Sequence, residues 1–155
     1  MGTEQELTDY TYRGTRALVL LHERHMNEFL DTWKAAKRAG VALPKTDDPA
    51  YQSLDTLLRH VLSCARGYMT WTCKMLELPD PQIRPVPGLD EIAQRVDDYL
   101  EHLLAQWRTP LSAVTEKQLD REYTARWGGT YCVDAMLEHA VMHPIRHRFQ
   151  LEELV

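Results

Sequence analysis

The chain has 155 residues, a length that suits one domain with room for a substantial core. Hydrophobic residues make up 44% and charged residues 26%, and a net charge of -5 without any basic cluster gives no electrostatic support for binding a phosphate backbone. The longest apolar run, Ala17 to Leu21, falls far short of the roughly 20 residues a membrane span needs, so neither nucleic acid nor a membrane is expected as a partner.

Four amphipathic helices are expected from the apolar spacing. The first runs from about Tyr10 to Lys37, with Leu18, Leu21, His22, His25, Phe29, Trp33 and Ala36 on one stripe, and Gly40 and Pro44 end it. The second runs from about Pro49 to Leu78. Asp48 is its candidate N-cap, Pro49 suits the first helical position, and its stripe reads Leu57, His60, Val61, Cys64, Tyr68, Trp71 and Met75. The stretch from Pro79 to Gly88 is rich in proline and reads as a linker. A third helix is expected from about Asp90 to Arg108, with Ile92, Val96, Tyr99, Leu100, Leu103 and Trp107 facing inward. Residues 111 to 129 lack a clean helical period and close on the turn Trp127-Gly128-Gly129, after which Thr130 offers a cap for a fourth helix reaching about Glu153. Almost no strand pattern is present. The whole chain, 1–155, therefore reads as a single all-α domain, an antiparallel four-helix bundle with long connections.

The chemistry is concentrated in the histidines. His139, His143 and His147 stand four residues apart, so successive rings lie only about 40° apart on one helical face. Met136, Ala140 and Leu151 share that face, which turns the rings toward the core. Imidazoles buried among apolar groups need a partner for each nitrogen, and a divalent cation is the most economical one. His143 and His147 have the i, i+4 spacing that lets two side chains meet over one turn and grip a metal. Two ligands leave a shell incomplete, and His60, mid-helix among Leu57, Val61 and Cys64, is the best third ligand. His22 and His25 are rivals beside an apolar stripe, but Glu23 and Arg24 between them suggest a half-solvated surface. His102 reads as solvated. Pro144, between the paired histidines, removes a backbone bond to Ala140 and either re-aims His143 or breaks the helix.

Other chemistries lack their spacing. There is no HExxH for a zincin protease, no Glu-x-x-His for a di-iron bundle, and no nucleophile elbow or phosphate loop. Cys64, Cys73 and Cys132 are odd in number and form no CxxC pair, which argues against a disulfide framework. With an acidic, polar start unlike a signal peptide, a cytoplasmic location is the expectation.

The segment His143-Pro-Ile-Arg-His147-Arg148-Phe-Gln150 resembles the last-helix signature of DinB-like proteins, a superfamily of helical bundles that includes YfiT-like members. That signature is HxxxH followed by Arg, a small residue and Gln, with a further histidine often four residues upstream and a third ligand on the second helix. His139 matches the upstream position, His143 and His147 the pair, and His60 the second-helix position. The turn at Trp127-Gly128-Gly129 also looks like the family's approach to that helix. Two positions depart from the pattern: Arg146 stands where many members carry another histidine, and Phe149 replaces the usual glycine.

Three neutral imidazoles leave coordination positions open, as a catalytic site requires, and zinc, nickel, iron(II) or manganese all suit the ligand type. The resemblance implies transfer of a low-molecular-weight thiol, such as bacillithiol or mycothiol, to an electrophile. A homodimer is a candidate assembly. Arg148, Gln150, Asp134, Glu138 and Cys64 are candidate helpers, the two acidic residues as acceptors of an imidazole N–H. A non-catalytic metal-binding bundle and a metal-free interaction domain with hydrogen-bonded histidines are the competing readings. Histidine ligation predicts metal affinity that falls below about pH 6.

Overall fold

The structure, a computed structural model, describes residues 7–124 and 127–155. Helix α1 spans Arg13–Arg38 and buries Thr15, Val19, His22, Met26, Phe29, Leu30, Trp33 and Ala36 on a three-and-four spacing. Leu18 and Leu21, expected on that stripe, are only partly buried, and Val19 takes their place. The helix stops because Gly40 adopts a φ of 67°, open to a residue without Cβ, and lets the Val41 N–H donate to the Ala36 carbonyl at 3.1 Å.

The second element starts later than its proline suggests. Pro49–Tyr51 forms a separate 3-10 turn, capped by the Asp48 side chain accepting from the Ala50 N–H at 2.9 Å. Helix α2 then spans Leu54–Met75, with Ser53 as its true cap, accepting from the Thr56 N–H at 3.0 Å. This break leaves Tyr51 outside the helix, where it reaches the last helix of the chain.

Helix α3 spans Ile92–Trp107. The aperiodic stretch that follows holds a short helix, α4 (Glu116–Asp120), fixed by a capping box between Thr115 and Gln118. A two-stranded hairpin comes next, β1 (Glu122–Thr124) paired antiparallel with β2 (Thr130–Cys132), and Tyr123 stands opposite Tyr131. The turn at Trp127-Gly128-Gly129 lies between these strands, with Gly128 at a φ of 96°. Helix α5 spans Val133–Glu152, and its cap is Cys132, whose Sγ accepts from the Ala135 N–H at 3.4 Å. Thr130, expected to be that cap, instead opens β2. Pro144 sits inside α5 without interrupting it.

Ion pairs and hydrogen bonds give the helix directions. Lys34 pairs with Asp97 and Glu23 with Arg108, so α1 and α3 run antiparallel. The Trp33 indole N–H donates to the Leu54 carbonyl at 2.7 Å, joining the end of α1 to the start of α2. His60 meets His147 while Tyr68 meets His139, so α2 and α5 are antiparallel. Between α2 and α3 the chain turns back along both helices. Arg66 donates to the Ile83 carbonyl and Arg59 to the Pro87 carbonyl, while Gln106 donates to that of Pro81 and His102 accepts from the Arg84 N–H. The two helices therefore point the same way, as do α1 and α5, and the antiparallel expectation holds only for part of the neighbours. A connection over 76–91 can do this because its extended reach, about 50 Å, exceeds the length of α2, about 33 Å.

The core between the long helices is filled by Met26, Phe29, Leu57, Leu62, Met69, Leu103, Trp107 and Met136, all essentially inaccessible. Helix α5 packs most extensively on α1 and then on α2. Cys64, Cys73 and Cys132 are free thiols. Among the described residues no helix is long and apolar enough to cross a membrane.

Candidate metal centre

The antiparallel crossing of α2 and α5 brings His60, His143 and His147 to one point. His143 Nε2 lies 3.2 Å from His60 Nε2 and 3.3 Å from His147 Nε2. Donor atoms of all three residues fall within 4.8 Å of one another, and no further His, Cys, Asp or Glu among the described residues joins the group. His143 and His147 are buried and His60 is half-buried. Pro144 does not spoil the i, i+4 geometry, since both neighbouring rings aim at the same point.

These spacings test whether a metal fits. Ligand nitrogens about 2.0–2.1 Å from a tetrahedral ion stand about 3.3–3.4 Å apart, close to the separations found. Hydrogen bonding alone serves the cluster less well. His143 Nε2 carries at most one proton yet faces two other ring nitrogens, whereas one cation engages all three lone pairs. The three histidines could thus hold a metal ion.

The outer contacts orient the rings. His147 Nδ1 lies 2.8 Å from Gln150 Oε1, an oxygen that only accepts, so the ring carries its proton on Nδ1 and turns a bare Nε2 toward the cluster. Tyr51 adds a hydroxyl 3.3 Å from the same Nδ1 and donates to Gln150 Oε1 at 3.4 Å. No hydrogen bond from Asp134 or Glu138 reaches an imidazole among the described residues; the amide three residues beyond His147 does that work instead. Nothing in the sequence points to Tyr51, which falls within the span expected for the second helix and lies instead in the 3-10 turn before it. Replacing Gln150 by Leu is expected to weaken metal binding by about 10–100-fold, the usual effect of losing such a partner, as measured by competition with a chromophoric chelator.

The remaining candidates separate from the cluster. His139 is exposed rather than turned into the core, and packs edge-on against Tyr68 at 5.3 Å, at the outer rim of the site. His22, expected at a half-solvated surface, is completely buried. It stacks on Trp107 with ring centroids 3.6 Å apart and planes 9° apart, and neither ring nitrogen has a hydrogen-bond partner among the described residues. His25 lies 3.9 Å from Glu28 at the edge of α1. Arg148 turns to Glu28 and Glu152, tying α5 to α1. His102, expected to be solvated, anchors the long connection through the Arg84 N–H at 3.0 Å. The Cys64 thiol stands 3.8 Å from His60 Nδ1, and burial holds its pKa up and the sulfur protonated.

Burial also keeps the cluster neutral. Loss of water pushes His143 far below the ordinary imidazole range, and His147, His60, Arg146 and His139 push it the same way. Desolvation likewise brings His147 down to about 4 against the opposing hydrogen bond to Gln150, and lowers His60. Beside the cluster, Cys64, Tyr68, Trp71, Met75 and Trp127 line a cavity of about 540 Å³.

Helices presenting three converging, uncharged imidazoles beside an open cavity define a helical protein with a site able to hold a metal ion. The family model for the DinB family matches residues 22–155, and the chain belongs to that family. No curated protein and no solved structure matches it.

Proposed function

We propose that this protein is a metal-dependent enzyme of DinB-like type in which His60, His143 and His147 hold one divalent cation, zinc, nickel, iron or manganese. The observation that carries the reading is the pair of Nε2 separations, 3.2 and 3.3 Å, from rings on two different helices. The four long helices are taken as a four-helix bundle, forming a single domain that works in the cytoplasm as a homodimer on a small molecule. A bound ion would act as a Lewis acid and lower the pKa of a thiol or water beside it, supplying a nucleophile near neutral pH.

The chain's own residues perform the rest. Gln150 and Tyr51 hold His147 in one tautomer, and burial keeps the imidazoles in the neutral form that ligates. Cys64, 3.8 Å from His60 Nδ1, and Tyr68, edge-on to His143, touch the cluster and also line the neighbouring cavity, which has room for a small molecule. Resemblance to the family favours transfer of a low-molecular-weight thiol to an electrophile as the reaction. A non-catalytic metal-binding bundle is the alternative, but the open cavity beside the cluster favours a site that admits substrate.

Elemental analysis of protein purified without a histidine tag tests the reading. One divalent ion per chain is expected, and His60→Ala, His143→Ala and His147→Ala should each lose more than about a hundredfold in affinity, beyond the effect of losing an outer partner. Full metal content in the His143→Ala protein would overturn the ligand set. A conjugation screen with low-molecular-weight thiols then separates enzyme from binding module.

A further inference from the structure

The cavity of about 540 Å³ beside the imidazole cluster has its chemistry sorted by helix face. Around α2, Arg66, Thr70 and Lys74 follow one another at four-residue steps and form its polar edge. Tyr68, Trp71 and Met75 form an apolar and aromatic floor on the more buried side, and Thr124 and Trp127 of the hairpin complete the lining. In a chain of net charge -5, this lining carries two cations and no carboxylate. Lys74 is exposed and makes no ion pair among the described residues. Arg66 is anchored by its Nε–H on the Ile83 carbonyl at 2.8 Å, a neutral partner that leaves its charge uncompensated.

Trp71 supplies the observation that points to a ligand. It is nine-tenths buried and edge-on to Tyr123, yet its indole N–H has no hydrogen-bond partner among the described residues. The other three tryptophans all donate: Trp33 to the Leu54 carbonyl, Trp107 to the Ala65 carbonyl and Trp127 to the Tyr131 hydroxyl. A buried donor without an acceptor destabilises the fold, and an acceptor lying in the cavity that Trp71 lines would satisfy it. Gly67 belongs to the same lining, and a Cβ placed there would meet nothing within 4 Å. A glycine inside a helix is less favourable than alanine, and here it leaves the cavity wider.

We infer that this cavity binds a small molecule with a flat aromatic or apolar body, seated on Tyr68, Trp71 and Met75, and one anionic group. The anionic group lies at the step from Trp71 to Lys74, where residues three apart share a helix face and offer a buried N–H and an ammonium. From Cys64 to Met75 the lining runs about 16 Å along α2, and the volume is in the range of small-molecule sites. One end abuts the three histidines: Cys64 stands 3.8 Å from His60 Nδ1 and Tyr68 is edge-on to His143. Binding here requires no ion, so the inference goes beyond the three-histidine reading and does not rest on it.

Calorimetric titration with 2-naphthoate and with its uncharged amide, 2-naphthamide, tests the inference on the full chain, with metal and after chelation. The carboxylate should bind at least about tenfold more tightly than the amide in both cases, the scale of one charge-assisted hydrogen bond. Lys74→Gln should remove most of that preference, and Lys74→Arg should keep it. Trp71→Phe retains a ring but removes the N–H, and should weaken both probes severalfold. Gly67→Leu should weaken both through lost room, with a melting temperature no lower than that of the parent. Equal binding of acid and amide, an undiminished preference in Lys74→Gln, unchanged affinities in Gly67→Leu, or no binding of either probe would overturn the inference. A preference that disappears on chelation would put the carboxylate on the metal, overturning this site while supporting the three-histidine reading. A metal-free protein that still prefers the carboxylate supports this site whatever becomes of that reading.

Discussion

Metal-free protein is expected to unfold on mild acidification, near pH 5, before most carboxylates protonate. His22, His143 and His147 are buried and held neutral, with His22 pushed down to about 3 and His147 to about 4 by loss of water. Each folded-state value lies below the unfolded value of about 6.5, so between the two the unfolded chain takes up protons that the folded chain refuses. Stability therefore falls as pH drops through about 6.5 and keeps falling until the folded-state values are reached. Each group contributes up to about 2 kcal/mol of that loss at pH 5, and the three together about 4–6 kcal/mol, comparable with the ~5–15 kcal/mol of a typical fold. Circular dichroism against pH in the presence of a chelator reads the midpoint. His22→Phe preserves the stacking surface on Trp107 and removes two unpartnered nitrogens, so it should move the midpoint down by about half a pH unit. A helical signal unchanged down to pH 4 would refute the assignment of these rings as buried and neutral.

Adding the preferred divalent ion should raise the melting temperature sharply at neutral pH. At a hundred times its dissociation constant a ligand specific to the folded state adds about 2.7 kcal/mol, which for a chain of this size is about 5–10 °C. His143→Ala should abolish the rise, since that ring faces both other ligand nitrogens. The depressed imidazole values also move the expected pH limit. Solvated histidines would release metal as pH falls below about 6, whereas these rings resist protonation further, so binding should persist toward pH 5 for as long as the protein stays folded. A thermal shift equal in wild type and His143→Ala would place the ion elsewhere.

The three converging histidines were legible because helical period is a local property. The four-residue step from His143 to His147 puts both rings on one face wherever the helix lies, and His60 shared an apolar stripe that had to turn inward. Local signals misled where two of them competed. Asp48 and Pro49 make a genuine start signal, but it opens a 3-10 turn, and Ser53 four residues later caps the helix. Thr130 lost its capping role to Cys132 because pairing with Thr124 drew it into a strand. His22 lies deeper than its surroundings suggest because the charged Glu23 and Arg24 that follow it say little about a ring that points to the other side of the helix.

By itself, the sequence determined that this is a helical chain of the DinB family, which residues could meet a metal, and that the site's rings belong to the interior, since periodicity and composition act within a few residues of each position. The tertiary structure decided which helix faces which. The long connection after α2 returns along that helix, sets α2 and α3 parallel, and leaves the opposite face of α2 to α5, where His60 meets the pair. It likewise decided that Tyr51, outside the helix, reaches His147 and Gln150. The contacts of His60 with His143 and of Tyr51 with His147 join residues 83 and 96 positions apart, and no local pattern encodes how the chain closes that distance.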